Sequence, residues 1–201
     1  MSTPPSGRLL LLRHGETEWS RDKKHTGNTD LPLTPAGEEQ ARQLARLLPN
    51  IRPALVLSSP LARALRTAEL AGLSDVVVDD DLKEWDYGRY EGLTTAEIRE
   101  GRPGWSIWTG DPPGGETAEQ VAARADRVLR RVSEALHRGD VIIVGHGHFL
   151  RMLTARRLEL PPSAGQRFFL DTGTLGVLGY EHDHTAMLRW NLPAAAAADV
   201  L

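Results

Sequence analysis

At 201 residues, the chain has the length of one domain able to bury a sizeable core. Its 24 Lys and Arg against 27 Asp and Glu give a formal net charge of -3, which argues against nucleic acid or an anionic membrane surface as the main partner. The absence of cysteine excludes disulfides, thiolate metal ligands and a cysteine nucleophile.

The first apolar run, RLLLLR at 8–13, has the length and character of a buried strand. Thr34 and Pro35 then form an N-cap and first helical position. Ala41, Leu44, Ala45 and Leu48 recur at helical spacing before Pro49 ends the run. ALVLSS at 54–59 predicts a second strand, followed by a helix over about 61–71 that stops at Gly72. VVV at 76–78 predicts a short third strand. The stretch at about 82–115 changes character: three of the five tryptophans stand there among glycines, prolines and charges, as loops and short helices that would form a lid-like insertion. Its tryptophans would either line a cleft or anchor the lid to the core.

From Thr117 to His137 a helical stripe runs through Val121, Ala125, Val128, Leu129, Val132 and Leu136, closed by Gly139. VIIVGH at 141–146 is too apolar to face water on either side, so it belongs in the centre of a sheet. A helix over about 149–157 follows, then three short strands in RFFL, LGVLGYE and AMLRWN, and an alanine-rich tail from about 193 that is expected to be flexible. Strands alternating with helices predict an α/β fold, a three-layer sandwich with a mostly parallel central sheet and helices on both faces, as a single domain over 1–201. The N-terminal MSTPPSG lacks the basic start and apolar run of a secretion signal, and no apolar stretch approaches the roughly 20 residues that span a bilayer. A cytoplasmic protein without membrane contact is therefore expected.

Three apolar strands finish in polar residues: Arg13-His14, Ser58-Ser59 leading to Arg63, and Gly145-His146-Gly147-His148. Ligands of open α/β sheets bind outside the carboxyl ends of the strands, so these residues should meet in one crevice. Guanidinium forks suit phosphate oxygens and remain charged at working pH. A neutral imidazole beside them is a competent nucleophile at phosphorus, and Gly15 would let the backbone bend close to an oxyanion. The combination points to phosphoryl transfer through a phosphohistidine.

LLRHGETEWS, SSPLARALRTA, LKEWDYGRYEG, GGET and VGHGHFLR stand in this order along the chain. In these motifs the chain resembles the histidine phosphatase superfamily, the phosphoglycerate mutase-like proteins, whose signature is RHG. EWDYGRYEGLTTAEI, GHGHFLR and LDTGTLGVLGYEHD look most like its bacterial acid phosphatases and sedoheptulose bisphosphatases. The resemblance implies a phosphoglycerate mutase-like fold with His14 as the nucleophile and Arg13 and Arg63 binding the phosphate. It further implies that His146 hydrogen-bonds the phosphoryl oxygens and that Glu84 protonates the leaving oxygen. Thr26 and Gly27, within KHTGNTD, match the family's second phosphate-facing turn. Ser20 stands where many members have an asparagine, and its shorter hydroxyl would be expected to contact phosphate directly or through water.

His148 is read from the sequence as a substrate contact or a packed histidine. A zinc pair with His146 would need a third ligand, for which only His182 and His184 are on offer. His25, His137, His182 and His184 are read as surface residues. No metal or other cofactor is expected. Arg21, Lys23 and Lys24 either favour a bisphosphate or are solvated, and a homodimer stays open because several family members dimerise. The expected activity is hydrolysis of small phosphomonoesters, sugar phosphates or related metabolites, at acidic pH, because Glu84 must start protonated. A phosphoglycerate mutase and a non-catalytic phosphate-binding module are the alternatives. The mutase is disfavoured because the lid segment between Glu91 and Gly115 offers only Arg99 and Arg102 to hold a second acidic group.

Overall fold

The computed structural model describes residues 4–48 and 51–193. Its strands are β1 (Leu9–Arg13), β2 (Leu55–Ser58), β3 (Val76–Val78), β4 (Val141–Gly145), β5 (Thr174–Glu181) and β6 (His184–Pro193). They form one sheet in the order β3-β2-β4-β1-β5-β6. The four strands from β3 to β1 run parallel, and β5 and β6 complete the sheet as an antiparallel hairpin. The helices are α1 (Glu18–Arg21), α2 (Pro35–Leu44), α3 (Ala62–Leu70), α4 (Thr95–Gly101), α5 (Ala118–Arg138) and α6 (Gly147–Arg157).

The layers follow from strand alternation. Leu9, Leu11, Val141 and Ile143 face one side, where they meet Val128, Val132 and Leu136 of α5 and Phe149, Leu150 and Leu153 of α6. Leu10, Leu12, Ile142 and Val144 face the other side, against Leu44 of α2 and Ala64 and Ala68 of α3. With both faces covered, the two central strands need apolar residues at every position, and each buried leucine or valine contributes about 1.5–3 kcal/mol. The α/β three-layer sandwich expected from the sequence is the observed architecture.

Local chemistry sets the helix ends. The Thr34 hydroxyl accepts the Gly37 N–H with Pro35 at the first helical position of α2, and Thr117 and Gln120 form a capping box at α5. Gly139 follows the last residue of α5 with φ 154. The α6 helix begins at Gly147, two residues before the expected start, with His146 at its N-cap position. The expected stop at Pro49 and the tail beyond Pro193 lie outside the described residues, while Pro193 itself ends β6.

RFFL is not a strand. A 3-10 turn spans Pro162–Arg167, and the chain then runs irregularly because side chains, not a neighbouring strand, take its carbonyls. Arg151 donates to Gly165 and Gln166, the Trp190 indole to Phe169, and Arg13 to Leu170. The 82–115 segment contains short helices as expected, but Leu82, Trp85, Ile98, Trp105, Ile107 and Trp108 are buried in the core that α5 and α6 share. Its three tryptophans are anchors.

Gly15 and Gly37 explain each other. A Cβ on Gly15 would stand 2.1 Å from the Gly37 carbonyl oxygen, and one on Gly37 would stand 2.0 Å from that of Glu16. Only backbone lies in the way, so no side chain can yield. Gly37→Ala is expected to lower unfolding stability by about 2–3 kcal/mol, read as a reduced urea midpoint.

Candidate active site

The parallel register brings the polar strand ends side by side. Arg13 pairs with Gly145, the His14 N–H donates to the Gly145 carbonyl at 3.0 Å, and the Ser59 N–H donates to Val144 at 3.0 Å. The rings of His14 and His146 consequently lie 5.1 Å apart, centroid to centroid.

Their hydrogen bonds fix both tautomers. His14 Nδ1 lies 2.7 Å from the Gly15 carbonyl, which can only accept, so Nδ1 carries the proton and Nε2 keeps its lone pair. Arg63 Nε, which can only donate, lies 3.2 Å from His146 Nδ1, so the His146 proton sits on Nε2 and is donated to Ser59 Oγ at 2.7 Å. Burial, followed by the charges of Arg63 and Arg13, holds the pKa of His14 well below the usual histidine range. Burial and then Arg63 do the same for His146. Both rings are therefore neutral, one an acceptor and the other a donor.

Arg13 donates through Nη1 to the Leu170 carbonyl at 2.5 Å, while its Nε is buried without a hydrogen-bond partner among the described residues. Such an orphaned donor on a permanent cation is suited to an anionic ligand. Gly147 makes room for it, since a Cβ there would lie 3.1 Å from Arg13 Cζ. Arg63 is fully buried and differently engaged: beyond His146, it donates to the carbonyls of Thr29 at 2.9 Å, Thr26 at 3.2 Å and Gly27 at 2.9 Å.

Glu84 is held by amides. Oε1 accepts from the N–H groups of Trp85 at 2.9 Å and Phe149 at 2.8 Å, and Oε2 from that of His148 at 2.9 Å. The carboxyl group thus occupies the N-terminus of α6, where it accepts amide N–H groups that have no partner within the helix. Three of its roughly four lone-pair sites are taken, leaving one on Oε2. From behind, Arg124 of α5 donates to the carbonyls of Asp81, Lys83 and Glu84 at 2.7, 3.0 and 3.3 Å.

Arg13, His14, Ser20, Thr26, Glu84 and His148 line one cavity of about 510 Å³; Gly27, Arg63 and His146 do not line it. The Gly27 N–H turns away from it to Glu91 Oε1. Ser20 Oγ closes a capping box by accepting the Thr17 N–H at 2.8 Å, and it donates to the Thr17 carbonyl at 2.9 Å. The Gly15 N–H bonds Thr67 Oγ1, so that glycine is required by Gly37 and not by an oxyanion.

Lys23, Lys24, His25, Tyr87 and Arg151 also line the cavity. His25, expected on the surface, is 8% exposed, and its Nδ1 bonds the Leu93 carbonyl at 2.8 Å. His182 and His184 lie exposed at the β5–β6 turn. Sequence reasoning also missed Arg124 as a support for Glu84; its signal was a charge at the margin of the apolar stripe of α5, three residues after Val121. Among the described residues no helix is long and apolar enough to cross a membrane.

His14, His25, His146 and His148 all have pKa values lowered chiefly by burial. The unfolded chain therefore binds protons below about pH 6.5 that the native state refuses, and stability falls as pH drops through that value toward the native pKa values. The expected slope reaches about 1.4 kcal/mol per pH unit for each histidine, checked by urea midpoints between about pH 8 and pH 5.

A largely parallel α/β sheet whose strand ends carry a free imidazole lone pair and an arginine with, among the described residues, an unpartnered Nε, beside an amide-held carboxylate, is matched by comparison with known proteins. Residues 9–193 match the model of the histidine phosphatase superfamily, branch 1, and the chain belongs to that family. It is 46% identical over 177 residues to an acid phosphatase of Mycobacterium tuberculosis, covering 87% of each chain. It is 39% identical over 180 residues to the sedoheptulose 1,7-bisphosphatase of Saccharomyces cerevisiae, covering 74% of this chain and 66% of that protein. A solved structure of an open reading frame from Mycobacterium tuberculosis superposes with a TM-score of 0.91 at 44% identity, covering 94% of this chain and 99% of that one.

Proposed function

We propose that the chain is a phosphatase that hydrolyses small phosphomonoesters, sugar phosphates in particular, through a phosphohistidine at His14. The observation that carries this reading is the His14 ring, neutral and with its Nε2 lone pair free, beside the unpartnered Arg13 Nε. In the first step Nε2 forms a bond to phosphorus while the bond to the ester oxygen breaks, and protonated Glu84 gives its proton to the departing alkoxide. Arg13 binds the phosphoryl oxygens, and His146, its Nε2–H donated to Ser59, backs His14 from beneath the cavity floor. Arg63, its N–H groups held by carbonyls and His146, stabilises the developing charge from beneath. In the second step Glu84 takes a proton from water, the new P–O bond displaces His14, and inorganic phosphate leaves.

Support for sugar phosphates comes from the bisphosphatase relative, and support for work in acid from the acid phosphatase relative together with the lowered pKa of His14, which keeps the nucleophile neutral as pH falls. Hydrolysis is favoured over mutase chemistry because Arg99 and Arg102, the cations between Glu91 and Gly115, bond the Trp105 carbonyl and the Tyr90 hydroxyl and Asp111 carbonyl, away from the cavity lining. The proposal includes a cytoplasmic location, which cell fractionation tests. A panel of sugar mono- and bisphosphates at several pH values should give stoichiometric free phosphate. Retention of phosphate in isomerised products would instead establish a mutase.

A further inference from the structure

Two residues three apart in the chain grip His148 in different ways. Glu84 Oε2 accepts its backbone N–H at 2.9 Å, and the Tyr87 hydroxyl lies 2.6 Å from its ring Nδ1. Both Tyr87 and His148 line the cavity, although the sequence singled out only His148. The ring is also fixed from its sides, stacked on His25 at 11° and edge-on to Trp108 at 5.5 Å between centroids.

The hydrogen between Tyr87 and His148 can be placed. Among the described residues, His148 Nδ1 is the only hydrogen-bond partner of the Tyr87 hydroxyl. A buried phenol whose single neighbour is a ring nitrogen must donate to it or leave its own hydrogen unpaired. Burial, followed by the Glu84 charge, pushes the pKa of Tyr87 well above its usual value, so the phenol keeps that hydrogen. Burial, then Arg151, His25 and Arg13, lowers the pKa of His148 well below the histidine range, so the ring is neutral. One ring proton remains, and only Nε2 is left to carry it.

We propose that Tyr87 is a positioning residue that locks His148 as the Nε2–H tautomer, so that the cavity wall beside Glu84 offers a neutral hydrogen-bond donor to an oxygen of the substrate's organic part. The inference rests on the phosphatase reading and deepens it. The site discriminates in favour of esters whose alcohol portion carries further hydroxyl or carbonyl oxygens, because a built-in donor left unpaired penalises an alcohol lacking them. A neutral donor, unlike a further cation, adds this selection without adding positive charge to the cavity.

The test compares Tyr87→Phe, His148→Gln and His148→Asn on p-nitrophenyl phosphate and on a sugar phosphate that the wild-type enzyme hydrolyses. Tyr87→Phe should lose about tenfold more kcat/KM on the sugar phosphate than on p-nitrophenyl phosphate, mainly through KM, as expected for one neutral hydrogen bond. His148→Gln, whose amide nitrogen reaches the Nε2 position, should retain more discrimination than His148→Asn, whose amide reaches only the Nδ1 position. Equal losses on both substrates, or equal behaviour of Gln and Asn, would overturn the proposal. Nitrogen-15 spectra of the wild-type ring, assigned by loss of the signal in His148→Gln, read the tautomer without any turnover. A proton on Nδ1 overturns the proposal even if Tyr87→Phe fails to fold. Wild-type protein that releases no phosphate from either ester would defeat the phosphatase reading instead.

Discussion

Replacing His14 with alanine is expected to reduce phosphate release by about a thousandfold or more on every phosphomonoester, with the native fold retained. The size of the effect follows from what alanine removes. In the proposed mechanism His14 contributes the side-chain atom that bonds to phosphorus, and its Nδ1–H bond to Gly15 leaves the Nε2 lone pair free. Removing a buried, neutral ring leaves no charge uncompensated, so circular dichroism should show the same fold. The decisive measurement is rapid quench of the wild-type enzyme: acid-labile, alkali-stable phosphate should appear on His14 and be missing from His14→Ala. A variant that still turns over at a tenth of the wild-type rate would remove the nucleophile assignment.

Glu84→Gln is expected to produce the second largest loss, about 10²- to 10⁴-fold on alkyl phosphates, because the amide has no proton to give to the leaving alkoxide. On p-nitrophenyl phosphate the loss should be far smaller, since that phenolate departs without protonation. Kinetics on the two ester classes therefore separate a proton donor from a merely structural carboxylate, which would depress both alike. A stability cost accompanies the change. The glutamine NH₂ must face one of three amide N–H groups that now converge on the carboxylate, at a cost of about 1–3 kcal/mol.

Sequence and structure agree where local pattern determines position. The uninterrupted apolar runs of β1 and β4 announced buried central strands, and the polar residues closing them had to emerge at one end of a parallel sheet, which is why Arg13, His14 and His146 could be named. RFFL misled because three apolar residues in a row resemble a strand, whereas the partners that decide its conformation, Arg13, Arg151 and Trp190, are remote in the chain. Gly15 had a legible need for close approach, but the approaching group was the Gly37 carbonyl. His25 looked solvated amid charges, and only folding brings Tyr87, Trp105 and His148 around it. Arg63 was read as a phosphate-binding cation, but its burial outside the cavity lining was not legible, because its three carbonyl acceptors come from a loop more than 30 residues upstream.

The carboxylate seated on the first turn of α6 ties together groups that otherwise belong to separate parts of the chain. That helix is preceded by His146, starts with the glycine that admits Arg13, and carries His148, while its amides grip Glu84. The groups to which the proposed mechanism gives the roles of acid and phosphate cation, and both flanking imidazoles, therefore meet at one helix end. That mechanism would call for little rearrangement around phosphorus, because these groups are already held by backbone before any ester arrives.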